Sequence, residues 1–286
     1  MNYTTGLSMA APQTGGTQPP SPALPAGTVD CHMHIFDPRF PFVPGRSPDY
    51  GTVADYRLFQ QRMGLSRNIV VSPSSYGFDN SCLIDALRQF GDDARGVAGV
   101  SADVTDAELD ALDRENVRGI RLNFGRVAGT TIEDVDFLAG RIARLGWHLQ
   151  LHMSANGIVE HEARLSGLPV LLVIDHYGCP PQPGGESHPV ADTLCRLLSS
   201  GNTYVKLSRH HDVPDTGNYD AHAPLARRLI GHAPERLLWG SDWNHAQQRK
   251  KPDDAELINQ IALWTPDEET RCRILVENPN RVYWAR

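Results

Sequence analysis

The sequence predicts a single (β/α)8 barrel of the TIM type, and three observations predict it. Short apolar or β-branched runs alternate with helix-like segments along the chain. Eight such runs fit into 286 residues, close to the ~250 typical of a barrel closed by eight strand–helix units. No GxGxxG follows the first run, which argues against a doubly wound open sheet.

In chain order the elements read as follows. Residues 1–27 are rich in Pro, Gly, Ala, Ser and Thr and lack a hydrophobic period, so they are expected to form a disordered or loosely draped arm. The barrel is expected to occupy 28–286. Its strands are predicted at 29–36, 68–71, 96–104, 117–124, 148–153, 170–176, 203–209 and 237–243. Thr105 and Glu108 have capping-box spacing at a helix start. Thr265-Pro-Asp-Glu268 predicts another start, with proline in the first helical position.

Composition narrows the function classes. Hydrophobic residues make up 40% and charged residues 21%, the balance of an ordinary globular chain. Lys plus Arg number 27 against 34 Asp plus Glu, a formal charge of -7, which argues against nucleic acid as a partner. A local arginine cluster inside an acidic shell still suits a small anionic substrate. The cysteines (Cys31, Cys82, Cys179, Cys195 and Cys272) are widely spaced and form no CxxC pair. They predict neither a disulfide framework nor a thiolate zinc knuckle, and fit a reducing cytoplasm. The first positive charge is Arg39, so no signal-peptide n-region is expected, and no apolar run reaches membrane-spanning length.

Polar residues gather at the predicted strand ends, where barrels of this type place their chemistry. The first strand reads Val-Asp-Cys-His-Met-His, so His32 and His34 share a face with Asp30 below them. The fifth ends at His152, the sixth at His176, and the eighth runs into Asp242. A mononuclear zinc site needs three or four nitrogen and oxygen ligands with one position open. His32, His34, His152 or His176, and Asp242 supply that set from four strands. A single histidine at a strand end is usually a hydrogen-bonded structural group; the whole constellation points to a metal. His161, His188, His222 and His232 fall in helices or loops and are expected to be solvated. His210, His211 and His245 follow strands seven and eight, near the mouth, while His148 starts strand five at the opposite end.

HxH on strand one, histidines on strands five and six, and aspartate on strand eight resemble the amidohydrolase superfamily. The tail Val-Glu-Asn-Pro-Asn-Arg-Val-Tyr is similar to that superfamily's usual ending. More narrowly, Asp30-Cys-His-Met-His-Ile-Phe-Asp37, Ile174-Asp-His-Tyr-Gly178 and Trp239-Gly-Ser-Asp-Trp243 resemble its lactonase branch. That branch includes 2-pyrone-4,6-dicarboxylate lactonase, 4-sulfomuconolactone hydrolase and lactone isomerases of sugar-acid degradation. The resemblance implies a hydrolase that opens an anionic lactone, with His32, His34, His176 and Asp242 around the hydrolytic water. Asp242 and His176 are then the catalytic pair. Arg121 and Arg126 match residues that hold a substrate carboxylate, Ser74 matches a substrate contact, and Arg209 is a further candidate. Asn123 and Tyr50 complete the candidate substrate-binding set.

Two departures from the pyrone enzyme bear on substrate and metal. The arginine spacing is one residue shorter, and His152 restores a strand-five histidine that the metal-free pyrone enzyme lacks, which favours metal. Zn2+ is therefore the expected cofactor, with metal-independent hydrolysis as the alternative. A lactone isomerase or a metal-dependent decarboxylase fits the same barrel. A non-catalytic binding module has no reason to place so many titratable groups at strand ends.

Overall fold

Eight parallel strands follow one another around the barrel in chain order: β1 (Val29–Met33), β2 (Arg67–Val71), β3 (Ala94–Ala98), β4 (Val117–Asn123), β5 (His148–His152), β6 (Leu172–Ile174), β7 (Thr203–Leu207) and β8 (Leu237–Trp239). The structure, a computed structural model, describes residues 10–46, 49–124, 131–208, 219–246 and 248–285. Every predicted strand is present, and most leave the ladder earlier than predicted. The eighth stops at Trp239 because the backbone then turns through Asp242 at φ 60°. Closure between the last and first strands is made beyond that point. Asp242 N–H donates to His32 O (2.8 Å), and His34 N–H donates to Trp243 O (2.7 Å).

Gly240 permits this closure: a Cβ there would lie 2.6 Å from His32 Cβ. Gly119 serves the opposite end of the barrel, where a Cβ would meet the His148 ring at 2.4 Å. His148 itself is buried, edge-on to Tyr283.

Apolar side chains divide into two clusters by strand alternation. Ile120, Leu122, Leu149, Leu151, Leu172 and Ile174 face outward and pack with residues of the surrounding helices. Val29, Cys31, Ile69, Val71, Val97, Val173, Tyr204 and Leu238 form a separate cluster with Tyr283, which fills the interior. Each fully buried aliphatic side chain contributes about 1.5–3 kcal/mol relative to exposure.

The Thr105–Glu108 capping box forms as predicted, at the start of the helix Asp106–Arg114. The second predicted start is displaced. Thr265 ends the helix Asp254–Trp264, and Asp267 caps the helix Glu268–Cys272 by accepting from Thr270 N–H. Aspartate, two residues closer to the helix, outcompetes threonine as the cap. The described part of the arm, 10–27, contains no helix or strand. It is held by buried Arg62, which donates to Gly15 O (2.8 Å), Gly16 O (3.1 Å) and Gln18 O (3.0 Å) and pairs with Asp253. Among the described residues no helix is long and apolar enough to cross a membrane.

Candidate active site

β1 carries a register shift between Asp30 and Met33, which brings His32 into the interior above Cys31. Asp30 anchors this bend. Its carboxylate accepts from His32 N–H (3.1 Å), Ser241 N–H (2.9 Å), Ser241 Oγ (2.6 Å) and Tyr56 Oη (3.0 Å). Burial raises the Asp30 carboxyl to about 6 against the opposing pull of these donors. The β1–β8 junction thus holds His32 and Asp242 in one unit.

The two β1 histidines converge on Asp242. His32 Nε2 lies 3.6 Å and His34 Nε2 3.5 Å from Asp242 Oδ1. His34 Nδ1 is 2.7 Å from Val71 O, and a carbonyl only accepts, so Nδ1 carries the hydrogen and Nε2 offers a lone pair. His176 adds a third ring 4.8 Å from His32, with Nδ1 at 2.9 Å from Ser208 Oγ. His152 stands edge-on to His176 at 5.5 Å. The β6 tip is strained: His176, Tyr177 and Cys179 all have φ 54°. Strain of this kind is held where the surroundings over-determine the backbone, often at sites of chemistry. Burial lowers the His32 pKa to about 3 and takes that of His176 well below its ordinary value, so both rings are neutral near pH 7.

Among the described residues two triads have donor atoms close enough to hold one metal ion: His32, His34 and Asp242, and His32, Asp175 and His176. The first fits better. Metal bonds of ~2.1 Å in a tetrahedral site place ligands ~3.4 Å apart, near the separations from Asp242 Oδ1. Fully buried His32 Nε2 also has no hydrogen-bond partner among the described residues. In the second triad the carboxylate is already engaged by cations.

Asp175, Lys206 and Gln150 were not singled out in the sequence, yet they connect the site. Asp175 Oδ2 accepts from Arg121 Nε (2.9 Å) and Gln150 Nε2 (3.2 Å). Its Oδ1 lies 3.2 Å from His32 Nδ1 and 3.8 Å from Lys206 Nζ. Lys206 Nζ donates to Gln150 Oε1 (2.7 Å). Burial disfavours the Asp175 carboxylate, but Arg121, His32 and Lys206 outweigh it and hold its pKa well below the usual range. Burial lowers the Lys206 ammonium to about 8. The available signal was a lysine within the apolar run Thr-Tyr-Val-Lys-Leu and a glutamine at alternate spacing between two histidines.

The candidate substrate residues are less closely gathered. Arg121 lies in the interior beside Gln150 in register, bound through Nε to Asp175. Asn123 ends β4 opposite His152, with Oδ1 buried and without a hydrogen-bond partner among the described residues. Ser74 opens a half-buried turn beyond β2. Tyr50, 51% exposed, stacks on Phe42, and rings at Phe42, Phe36 and His34 lead inward from it. Arg126, Arg209, His210 and His211 lie outside the described residues. His245 is buried against Asp254 at 3.1 Å. Contrary to expectation, His222 is buried, stacked on Tyr177 at 4.8 Å, and His188 caps the helix Pro189–Ser199. An imidazole followed by Ala-Pro at a helix start has an apolar face to bury, which loop position alone does not reveal.

Residues 29–284 match the family model described as amidohydrolase. The chain is 37% identical over 278 residues to a 2-pyrone-4,6-dicarboxylate hydrolase of Comamonas testosteroni, covering 91% of each chain. It is 31% identical over 276 residues to a 4-sulfomuconolactone hydrolase of Rhizobium radiobacter, covering 93% of this chain and 92% of the other. A crystal structure of a probable 2-pyrone-4,6-dicarboxylic acid hydrolase from Acinetobacter baumannii, with citric acid bound, superposes with a TM-score of 0.80. That protein is 25% identical, and the match covers 91% of this chain and all of that one (100%).

Proposed function

The chain belongs to the amidohydrolase family, and on that premise we propose that it hydrolyses a carboxylated or sulfonated lactone in aromatic-compound degradation. The observation that carries the reading is the convergence of His32 Nε2 and His34 Nε2 on Asp242, in the same barrel interior as a buried arginine. The relatives named for dicarboxylated and sulfonated substrates support the anionic class.

In this reading Asp242 takes the proton of the water that attacks the lactone carbonyl. The ring C–O bond then breaks, and Asp242 returns the proton to the departing oxygen, leaving a hydroxyl group and a carboxylic acid that releases its proton to solvent as the carboxylate. Where His152 rather than His176 completes the metal set, Ser208 Oγ, 2.9 Å from His176 Nδ1, donates to it, and the hydrogen left on His176 Nε2 stabilises the oxyanion formed on the way. Arg121 keeps N–H groups beyond the one engaged by Asp175 and grips the substrate anion, aided by Arg126 and Arg209. Ser74, Asn123 and Tyr50 complete the substrate contacts. His32, His34 and Asp242, with His176 or His152, would hold one divalent cation, zinc by donor type; when bound it acidifies water and polarises the carbonyl. The five cysteines form no disulfide, which suits a cytoplasmic location.

The test is ring opening of 2-pyrone-4,6-dicarboxylate and 4-sulfomuconolactone beside their neutral esters, in the wild type and Asp242→Asn. The anions are expected to be preferred by about tenfold or more in kcat/KM, the worth of a charge-assisted hydrogen bond. Asp242→Asn should lower kcat by about 100-fold or more with little change in KM. Equal turnover of anion and ester, or an unchanged kcat, would overturn the reading.

A further inference from the structure

We propose that Asp175 is a positioning residue of this site: its buried carboxylate sets the tautomer of His32 and seats the guanidinium of Arg121, so that the hydrolytic end and the anion-binding end share one pivot. The parallel with His34 carries the argument. His34 is backed by Val71 O at 2.7 Å, which fixes hydrogen on Nδ1 and leaves Nε2 facing Asp242. His32 Nδ1 lies 3.2 Å from Asp175 Oδ1, an ion-pair contact whose alignment falls short of a hydrogen bond, and His32 likewise points Nε2 at Asp242. An ionised carboxylate only accepts, so the hydrogen again belongs on Nδ1.

Lys206 Nζ, 3.4 Å from His32 Nδ1, would favour the reverse tautomer. That arrangement turns the Nδ1 lone pair onto Asp175 Oδ1, and the ammonium already has an acceptor in Gln150 Oε1 at 2.7 Å. The other oxygen of Asp175 takes Arg121 Nε at 2.9 Å. Asp175 therefore fixes two groups with different tasks, and a carboxylate so engaged by cations is poorly suited to bind a metal itself.

The test reads the tautomer directly. Full-length protein labelled with 15N-histidine, zinc-free and zinc-loaded, is examined by long-range 1H–15N correlation, with His32 assigned by its loss in His32→Gln. Hydrogen on Nδ1 is expected in both samples, and Asp175→Asn should move the zinc-free ring toward Nε2–H. The kinetic half rests on the lactonase reading: on an anionic lactone, Asp175→Asn should lower kcat about 10- to 100-fold and raise KM about tenfold, whereas Arg121→Met should act mainly on KM. Nε2–H in zinc-free wild type overturns the proposal, as does a change in KM alone in Asp175→Asn. If that variant does not fold, the wild-type spectrum decides. A wrong substrate class leaves the tautomer result standing, so the two failures are distinguishable.

Discussion

The two sides of the barrel interior are built from different chemistry. Strands β1 to β3 and β8 fill their part with Val29, Cys31, Ile69, Val71, Val97 and Leu238. Strands β4 to β7 add Val173 and Tyr204 to that cluster, but they also contribute Arg121, Gln150 and Lys206, which meet Asp175 just beyond β6 through hydrogen bonds and ion pairs. The apolar side gains by removing area from water and tolerates small changes of shape. The polar side bears a desolvation cost that only complete pairing offsets, so each member depends on the others. What the polar side provides in return is orientation: it seats Arg121 and backs His32.

Three measurements sharpen or break this contrast. The largest effect is expected for Asp175→Ala, which leaves Arg121 and Lys206 buried without their carboxylate and should cost about 3–5 kcal/mol in urea unfolding. A loss below about 1 kcal/mol would mean that the interior charges are solvated and the contrast is false. A somewhat smaller effect appears with pH. Burial lowers Lys206 from 10.5 to about 8, so between these values the unfolded chain binds the proton that the folded chain has released. Stability from this group therefore rises with pH across that window, having been penalised below about pH 8. Relative to Lys206→Met, the wild type should gain about 3 kcal/mol between pH 8 and 10.5. Parallel stability curves for the two proteins would sink the assignment. The smallest effect is on the apolar side: Ile69→Val should cost about 0.5–1.5 kcal/mol and leave kcat within about twofold. A large loss of turnover there would show that both sides position the site.

The sequence alone determined the barrel and the approximate position of every strand, because side-chain alternation and apolar runs are local properties. It also brought out His32 and His34 as a pair on one face, and Asp242 beside them through the motif that Gly240 allows to close on β1. The Thr105 cap was legible for the same reason. Asp267 displaced Thr265 because two capping residues two positions apart compete, and only the course of the chain between two helices decides between them. His222 became buried through Tyr177, far away in sequence. Tertiary structure alone decided that Asp175 links His32 to Arg121, the latter 54 residues before Asp175 in sequence, and that Lys206 lies in the interior beside them. Such pairings depend on the register between strands and on burial, which turns a charge that water would have screened into one that must find its partner.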